Sequence, residues 1–315
     1  MTLCFWAFYA TNLENRGFAP RLWMLLAMRN VIVSVLIAVA LIALQVAIYT
    51  LFLKQPTSTW GATASEVAAP MAGDEISAEF QSTRAVTIDA PLGETWIWLN
   101  QLGADRVGFF SYTFIEQFLG YETRAQTTIR SEFPVFQVGD IIRGSIFPAK
   151  SVIVYEFPVL EVLHEAHLVV QNWGAFQLVP ISDTQTRLII RTHRPAPSGW
   201  LRDAFEYYIA EGLHFVMERA TLRGFKARVE AGEGPEFDDS QDRLWFYSIM
   251  GAAVAIAVLI LWLQGARKVV LPAVLSTAWT FTLLCLNPVP LYSLGLLALV
   301  VAVILHQVFF HKRQI

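Results

Sequence analysis

Cysteine, charge and catalytic signatures are all scarce in this sequence. Cysteine occurs twice in 315 residues, at Cys4 and Cys285, and neither lies between residues 82 and 231. No disulfide framework can support that stretch, and cysteine usage assigns no redox compartment. Only 16% of residues are charged, the net charge is −3 and there is no long basic run. Nucleic acid is therefore not an expected partner. The chain has no Gly-x-Ser-x-Gly, P-loop, dinucleotide fingerprint, Cys-x-x-Cys or His-Glu-x-x-His. That removes the commonest hydrolase, NTPase, dehydrogenase, thiol-redox and zinc-protease frameworks.

What the chain has in excess is apolar surface. Hydrophobic residues make up 55% and mean hydropathy is +0.47, too apolar for an ordinary soluble protein. Residues 31–53 carry no charge and exceed the ~20 residues that cross a hydrocarbon core. Further apolar spans occupy 244–263, 269–286 and 291–310, the last two joined by Asn287-Pro-Val-Pro290. Gln45, the one strongly polar side chain of the first span, is expected to face another helix. Residues 1–30 mix Arg16, Arg21 and Arg29 with Leu22, Trp23, Leu25 and Leu26. They read as an interfacial amphipathic segment, not a cleavable signal peptide.

Charge then sets an expected topology. Arg16, Arg21 and Arg29 precede the first span, Arg267 and Lys268 separate the second and third, and Lys312 and Arg313 follow the fourth. With four spans these groups share one side. The positive-inside rule makes that side cytoplasmic, with both termini there. The expected site is the cytoplasmic (inner) membrane, multi-pass, with the globular part periplasmic or otherwise extracytoplasmic. Trp245, Tyr247, Trp262 and Tyr292 stand near span ends, as interfacial aromatics do. Residues 54–81 and 232–243 are acidic and interrupted by Pro and Gly, and read as linkers.

Residues 82–231 form the globular domain. A strand over 84–89 leads through Pro91 into a helix over 96–103, and a second short helix is expected over 109–119. Strand-like runs follow at 140–146, 152–157, 159–163, 167–171, 175–180 and 187–192. Residues 200–229 read as one long helix. Leu201, Phe205, Tyr208, Gly212, Phe215 and Leu222 recur along it at three- and four-residue spacing.

Several motifs in this domain carry a family resemblance. They are Val86-Thr-Ile-Asp-Ala-Pro91, Trp96-Ile-Trp-Leu-Asn-Gln-Leu-Gly103, Asp105-Arg-Val-Gly-Phe-Phe-Ser-Tyr112, Gln137-Val-Gly-Asp140, Thr186-Arg-Leu-Ile-Ile-Arg191, and the run from Phe215 to Lys226. In order and spacing the stretch resembles bacterial members of the START-like SRPBCC superfamily, which includes polyketide cyclases and Bet v 1-type proteins. The resemblance covers about residues 80–231. It implies an α+β helix-grip fold, a curved antiparallel sheet around a long C-terminal helix, here beside four transmembrane helices. It also implies a cavity, but no particular reaction.

Aromatic residues exceed what a thin core needs, and the expected cavity lining is Phe110, Tyr112, Ile115, Trp173, Phe176, Phe205, Tyr208 and Ile209. Four polar residues are also candidates. Asp105 and Arg106 are expected to form a structural ion pair anchoring their loop. Glu211 and His214, with Glu218 one turn on, share a helix face; an exposed, charge-paired face is the favoured reading. His164 and His167 lie in a strand–turn–strand context that favours a surface turn over a metal chelate. Arg191, His193 and Arg194 are expected at the solvent, and the lone His306 at the membrane interface. No metal site or catalytic residue is assigned.

The expected function is non-catalytic binding of a lipid or other hydrophobic small molecule by a membrane-anchored extracytoplasmic domain. No cofactor is named by the sequence; a bound lipid, quinone or other apolar molecule suits such a cavity. The alternatives are an accessory or structural subunit among other integral membrane subunits, for example of an energy-transducing complex, and a cyclase- or hydrolase-like enzyme.

Overall fold

The computed structural model describes residues 19–76, 80–147, 156–193, 199–234, 236, 238–263 and 267–311. Arg16, Arg194, Lys312 and Arg313 lie outside them. The chain forms two compact units, Met1–Tyr49 with Ser240–Ile315, and Thr50–Asp239.

The first unit is helical. Its helices are α1 (Ala19–Ile48), α8 (Ser240–Trp262), α9 (Arg267–Cys285) and α10 (Pro290–His311). Among the described residues four helices are long and apolar enough to cross a membrane, making this a multi-pass membrane protein by length and composition. In an apolar medium a polar side chain must find its partner on another helix. Gln45 of α1 does so. Its amide donates to Ser276 Oγ of α9 at 2.9 Å and its carbonyl accepts from Thr280 Oγ1 at 2.9 Å. Ser248 of α8 likewise donates to Ser293 of α10 at 2.6 Å.

The second unit is α+β. The helix that begins in α1 continues through a π turn (Tyr49–Leu53) into α2 (Lys54–Ser58). Then come α3 (Ala64–Ala68), β1 (Phe80–Ile88), α4 (Leu92–Leu99), α5 (Thr113–Phe118), β2 (Ile141–Arg143), β3 (Glu156–Leu163), β4 (His167–Val170), β5 (Gly174–Ser182) and β6 (Gln185–His193). A long helix closes the unit: α6 (Trp200–Phe205), a π turn (Glu206–Ala210) and α7 (Glu211–Ala231). The strands form one open antiparallel sheet in the order β1-β6-β5-β4-β3-β2. Strand periodicity sends alternate residues to opposite faces. Val86, Ile88, Phe176, Leu178, Leu188 and Ile190 turn to the inner face, where Trp96 and Leu99 of α4 and Leu222, Phe225 and Val229 of α7 complete the main core.

The outer face is covered too, which corrects the linker expected over 54–81. Ala85, Val169, Ala175 and Ile189 pack there under Met71. A capping box between Thr63 and Glu66 starts α3. Two arginines on alternate positions of β6 then fix this segment. Arg187 holds the Glu66 carboxylate with two bonds of 2.8 and 2.9 Å, and that contact takes Glu66 down to about 2. Arg191 bonds the Glu66, Val67 and Ala69 carbonyls at the end of α3 and the Asp74 carboxylate. Free C-terminal carbonyls attract a cation. Arg191 is therefore 1% exposed, and not at the solvent as its place near a strand end suggested.

Smaller differences follow the same logic of partners. The helix expected over 109–119 begins only at Thr113, because Phe110 takes a left-handed φ of 57°. The strand expected over 140–146 is short, and the runs read at 152–157 and 159–163 give one strand from Glu156, residues 152–155 lying outside the description. Within 232–243, Gly234 donates to Thr127 O and Glu233 accepts from Ile129, so this stretch is tied down before α8 begins.

Candidate functional site

One stripe of α7 organises the interior of the second unit. Glu211, Phe215, Glu218, Leu222, Phe225 and Val229 recur at alternating four- and three-residue intervals and are all buried. The stripe is apolar from Leu222 onward; before it, Glu211 and Glu218 stand on either side of Phe215. Arg84 marks the same change on β1, where it shares the inner face with Val86 and Ile88.

The charged end is built as a network. Arg84 Nη1 meets Glu218 Oε1 at 2.8 Å, with neither side chain exposed. Arg84 Nε donates to Thr57 O of α2 at 2.7 Å, and its guanidinium lies over the Phe215 ring. The second Glu218 oxygen accepts from Thr192 Oγ1 of β6 at 2.6 Å and stands 3.5 Å from His214 Nε2. Two turns before Glu218, Glu211 pairs with Lys54 at 2.9 Å, and the lysine sits over the Tyr207 ring. Buried charge is tolerated only when paired in this way. Within this network Lys54 Nζ, Arg84 Nη2, Glu211 Oε1 and His214 Nδ1 are buried with no hydrogen bond among the described residues.

Burial drives the Glu218 carboxyl upward, but Arg84, His214 and the Thr192 hydroxyl outweigh it, leaving Glu218 below its ordinary value. Burial takes the His214 imidazole below its ordinary value, aided by Arg84 and opposed by Glu218, although a third of its side chain stays accessible. Glu211 and Glu218 are thus not the exposed face that their charge suggested. They are charge-paired, but inside.

The remaining candidates scatter. Trp173 and Phe176 pack in the core with ring centroids 5.0 Å apart, and Phe110 stands edge-on to Phe225 at 5.1 Å. Tyr112 is buried against Phe114, and Ile115 is half-buried. Phe205, Tyr208 and Ile209 are 51%, 41% and 39% exposed. The reason is the π turn at Glu206–Ala210. Its extra residue rotates the helix face, so the stripe that runs through Phe215 does not continue through Phe205. Asp105 and Arg106 do not pair with each other. Arg106 bonds the Asn100 and Pro134 carbonyls and covers the Phe136 ring, while Asp105 faces Arg143 at 3.9 Å. The loop is anchored by carbonyls and a ring. His167 pairs with Glu161, and Glu165 turns the hairpin with φ 56°. No group of three or more metal-ligating side chains occurs among the described residues.

Sequence reasoning missed Arg84, Lys54 and Glu116. Arg84 was signalled by strand alternation with Val86 and Ile88. Glu116 of α5 is 9% exposed and its Oε2 has no hydrogen bond among the described residues. Burial pushes it up to about 7, with Thr123 pulling weakly the other way. Comparison with known proteins gives no family, no curated protein and no solved structure that matches this chain.

Proposed function

We propose that this chain is a membrane-anchored START-like protein whose domain lies outside the cytoplasmic membrane and binds a lipid or other hydrophobic molecule without catalysing a reaction. The observation that carries this is the α7 stripe: an interior between helix and sheet that is apolar at one end and charged at the other suits an amphipathic molecule. A long helix lying over an open antiparallel sheet is in keeping with a helix grip. The basic residues flanking the spans favour cytoplasmic termini.

The charged end also bears on the enzyme alternative. His214 beside Glu218 has the composition of an acid–base pair. Both Glu218 oxygens, however, are already committed to Arg84 and Thr192, and its affinity for protons is lowered. A carboxylate so held is a poor general base, and binding is the better reading.

The test is purification of the full chain in mild detergent, followed by mass spectrometry of everything bound. One apolar or amphipathic molecule per chain is the expected result. A chain free of small molecules overturns the proposal, and if membrane subunits accompany it, the accessory-subunit alternative takes its place.

A further inference from the structure

The first half of the long helix exposes an apolar face that the domain does not use. Trp200 is 81% exposed, Leu201 68%, Phe205 51% and Leu213 52%, with Tyr208 and Ile209 beside them. This face runs from before the π turn to Leu213 at the start of α7, on a side other than the buried stripe. Such a face on a soluble domain marks a contact surface.

Its location selects the occupant. The candidate span Met24–Ser58 ends within this unit. Leu51 and Phe52, in its last turns, are 72% and 70% exposed. Two residues further on, Lys54 is ion-paired with Glu211 and covers Tyr207. The apolar helix is therefore fastened to the end of the span itself. At 1.5 Å per residue, Trp200 lies only ~16 Å along the helix axis from Glu211. Trp and Tyr beside aliphatic residues is the composition of a helix lying at the boundary of headgroups and acyl chains. Besides the buried Glu211, its charged residues are Arg202, Asp203 and Glu206, so it has no basic face and no demand for anionic lipid.

We infer that residues 200–213 lie in the interface of the same membrane that the spans cross, with Leu201, Phe205, Ile209 and Leu213 in contact with lipid. This is independent of ligand binding. A molecule held inside the domain touches the buried stripe at Phe215 and Leu222, not the exposed face.

The experiment is photolabelling of the unmodified full chain in nanodiscs of phosphatidylcholine carrying a diazirine on one acyl chain, with adducts mapped by mass spectrometry. Expected are lipid adducts within 200–213 as well as in the spans, unchanged when salt is raised. Replacement of Phe205 and Ile209 by Ser, both exposed and harmless to the core, lowers labelling of this segment about tenfold or more while the spans label as before. Adducts confined to the spans overturn the inference. Adducts on peptides containing Phe215 and Leu222 alone leave ligand binding standing and sink the interfacial assignment.

Discussion

Arg84 Nη1 lies 2.8 Å from Glu218 Oε1, and neither side chain is exposed at all. The pair joins β1 to α7 where the apolar core gives out. Removing one partner leaves a buried charge uncompensated, which costs about 3–5 kcal/mol, whereas replacing both by apolar residues of similar volume is close to neutral. Glu218→Gln and Arg84→Met are each expected to lower the thermal midpoint of the detergent-solubilised chain strongly. The double replacement Arg84→Met with Glu218→Leu is expected to recover most of the loss. If the double variant is as unstable as the sum of the two singles, the pair is not the reason either residue is needed.

Acid acts on the same cluster through two groups of one sign. His214 is held below its ordinary value, so as pH falls through about 6.5 the unfolded chain takes up this proton before the folded one does. Glu218 is also lowered, so its contribution is present above its ordinary value of 4.5 and is lost as pH falls through its folded value. The stability that these two groups contribute is expected to decline from about pH 6.5 downward. His214→Gln removes the upper part of that decline and leaves the part due to Glu218. A thermal midpoint followed from pH 7.5 down to about 3 distinguishes the two, and identical slopes in wild type and variant above pH 4.5 would rule out His214 as the sensor.

Glu116 works in the opposite direction. Its folded value is raised from 4.5 to about 7 by burial. The folded chain therefore holds a proton that the unfolded chain has released, and stability falls as pH rises from 4.5 through 7. The full cost above pH 7 is ~3 kcal/mol, from ~1.4 kcal/mol per unit. Glu116→Gln is expected to raise the thermal midpoint at pH 8 and to bring no gain near pH 5. A variant that gains equally at both values is responding to something other than ionisation.

These buried charges explain what was legible in the sequence and what was not. Uninterrupted apolar runs announced the spans, and Gln45 announced its own helix partner, because hydrocarbon leaves a polar side chain little else to do. Periodicity located most strands and the long helix. It failed where a local pattern is completed from far away. Residues 60–76 look like a linker because their order comes from Arg187 and Arg191 on β6, 117 to 125 residues later. Glu211 and Glu218 lie on the apolar stripe, but a charged residue there reads as exposed until Lys54 and Arg84 are known to meet it. The exposed Phe205 and Tyr208 were assigned to the interior because helical spacing was counted through Glu206–Ala210 as though every turn were regular. No composition signal marks a π turn.

Gly224 offers the sharpest test of packing between α7 and the aromatic loop. Glycine in a helix interior costs about 1 kcal/mol relative to alanine, so Gly224→Ala gains that much if the site has room. It has none. A Cβ at this position falls 1.9 Å from the Phe110 carbonyl oxygen, a contact with backbone and not with a flexible side chain. Phe110 has little freedom to retreat. Its φ is 57° and its ring stands edge-on to both Trp98 and Phe225. Overpacking of this kind costs about 1–3 kcal/mol even where neighbours adjust, which outweighs the helix-propensity gain in all but its mildest form. Gly224→Ala is expected to destabilise the chain and Gly224→Val more so. Gly295→Ala, with nothing within 4 Å of its new Cβ, is expected to be neutral or stabilising. Thermal midpoints of the three variants decide the matter: a stabilised Gly224→Ala would mean that the long helix does not approach the Phe110 backbone this closely.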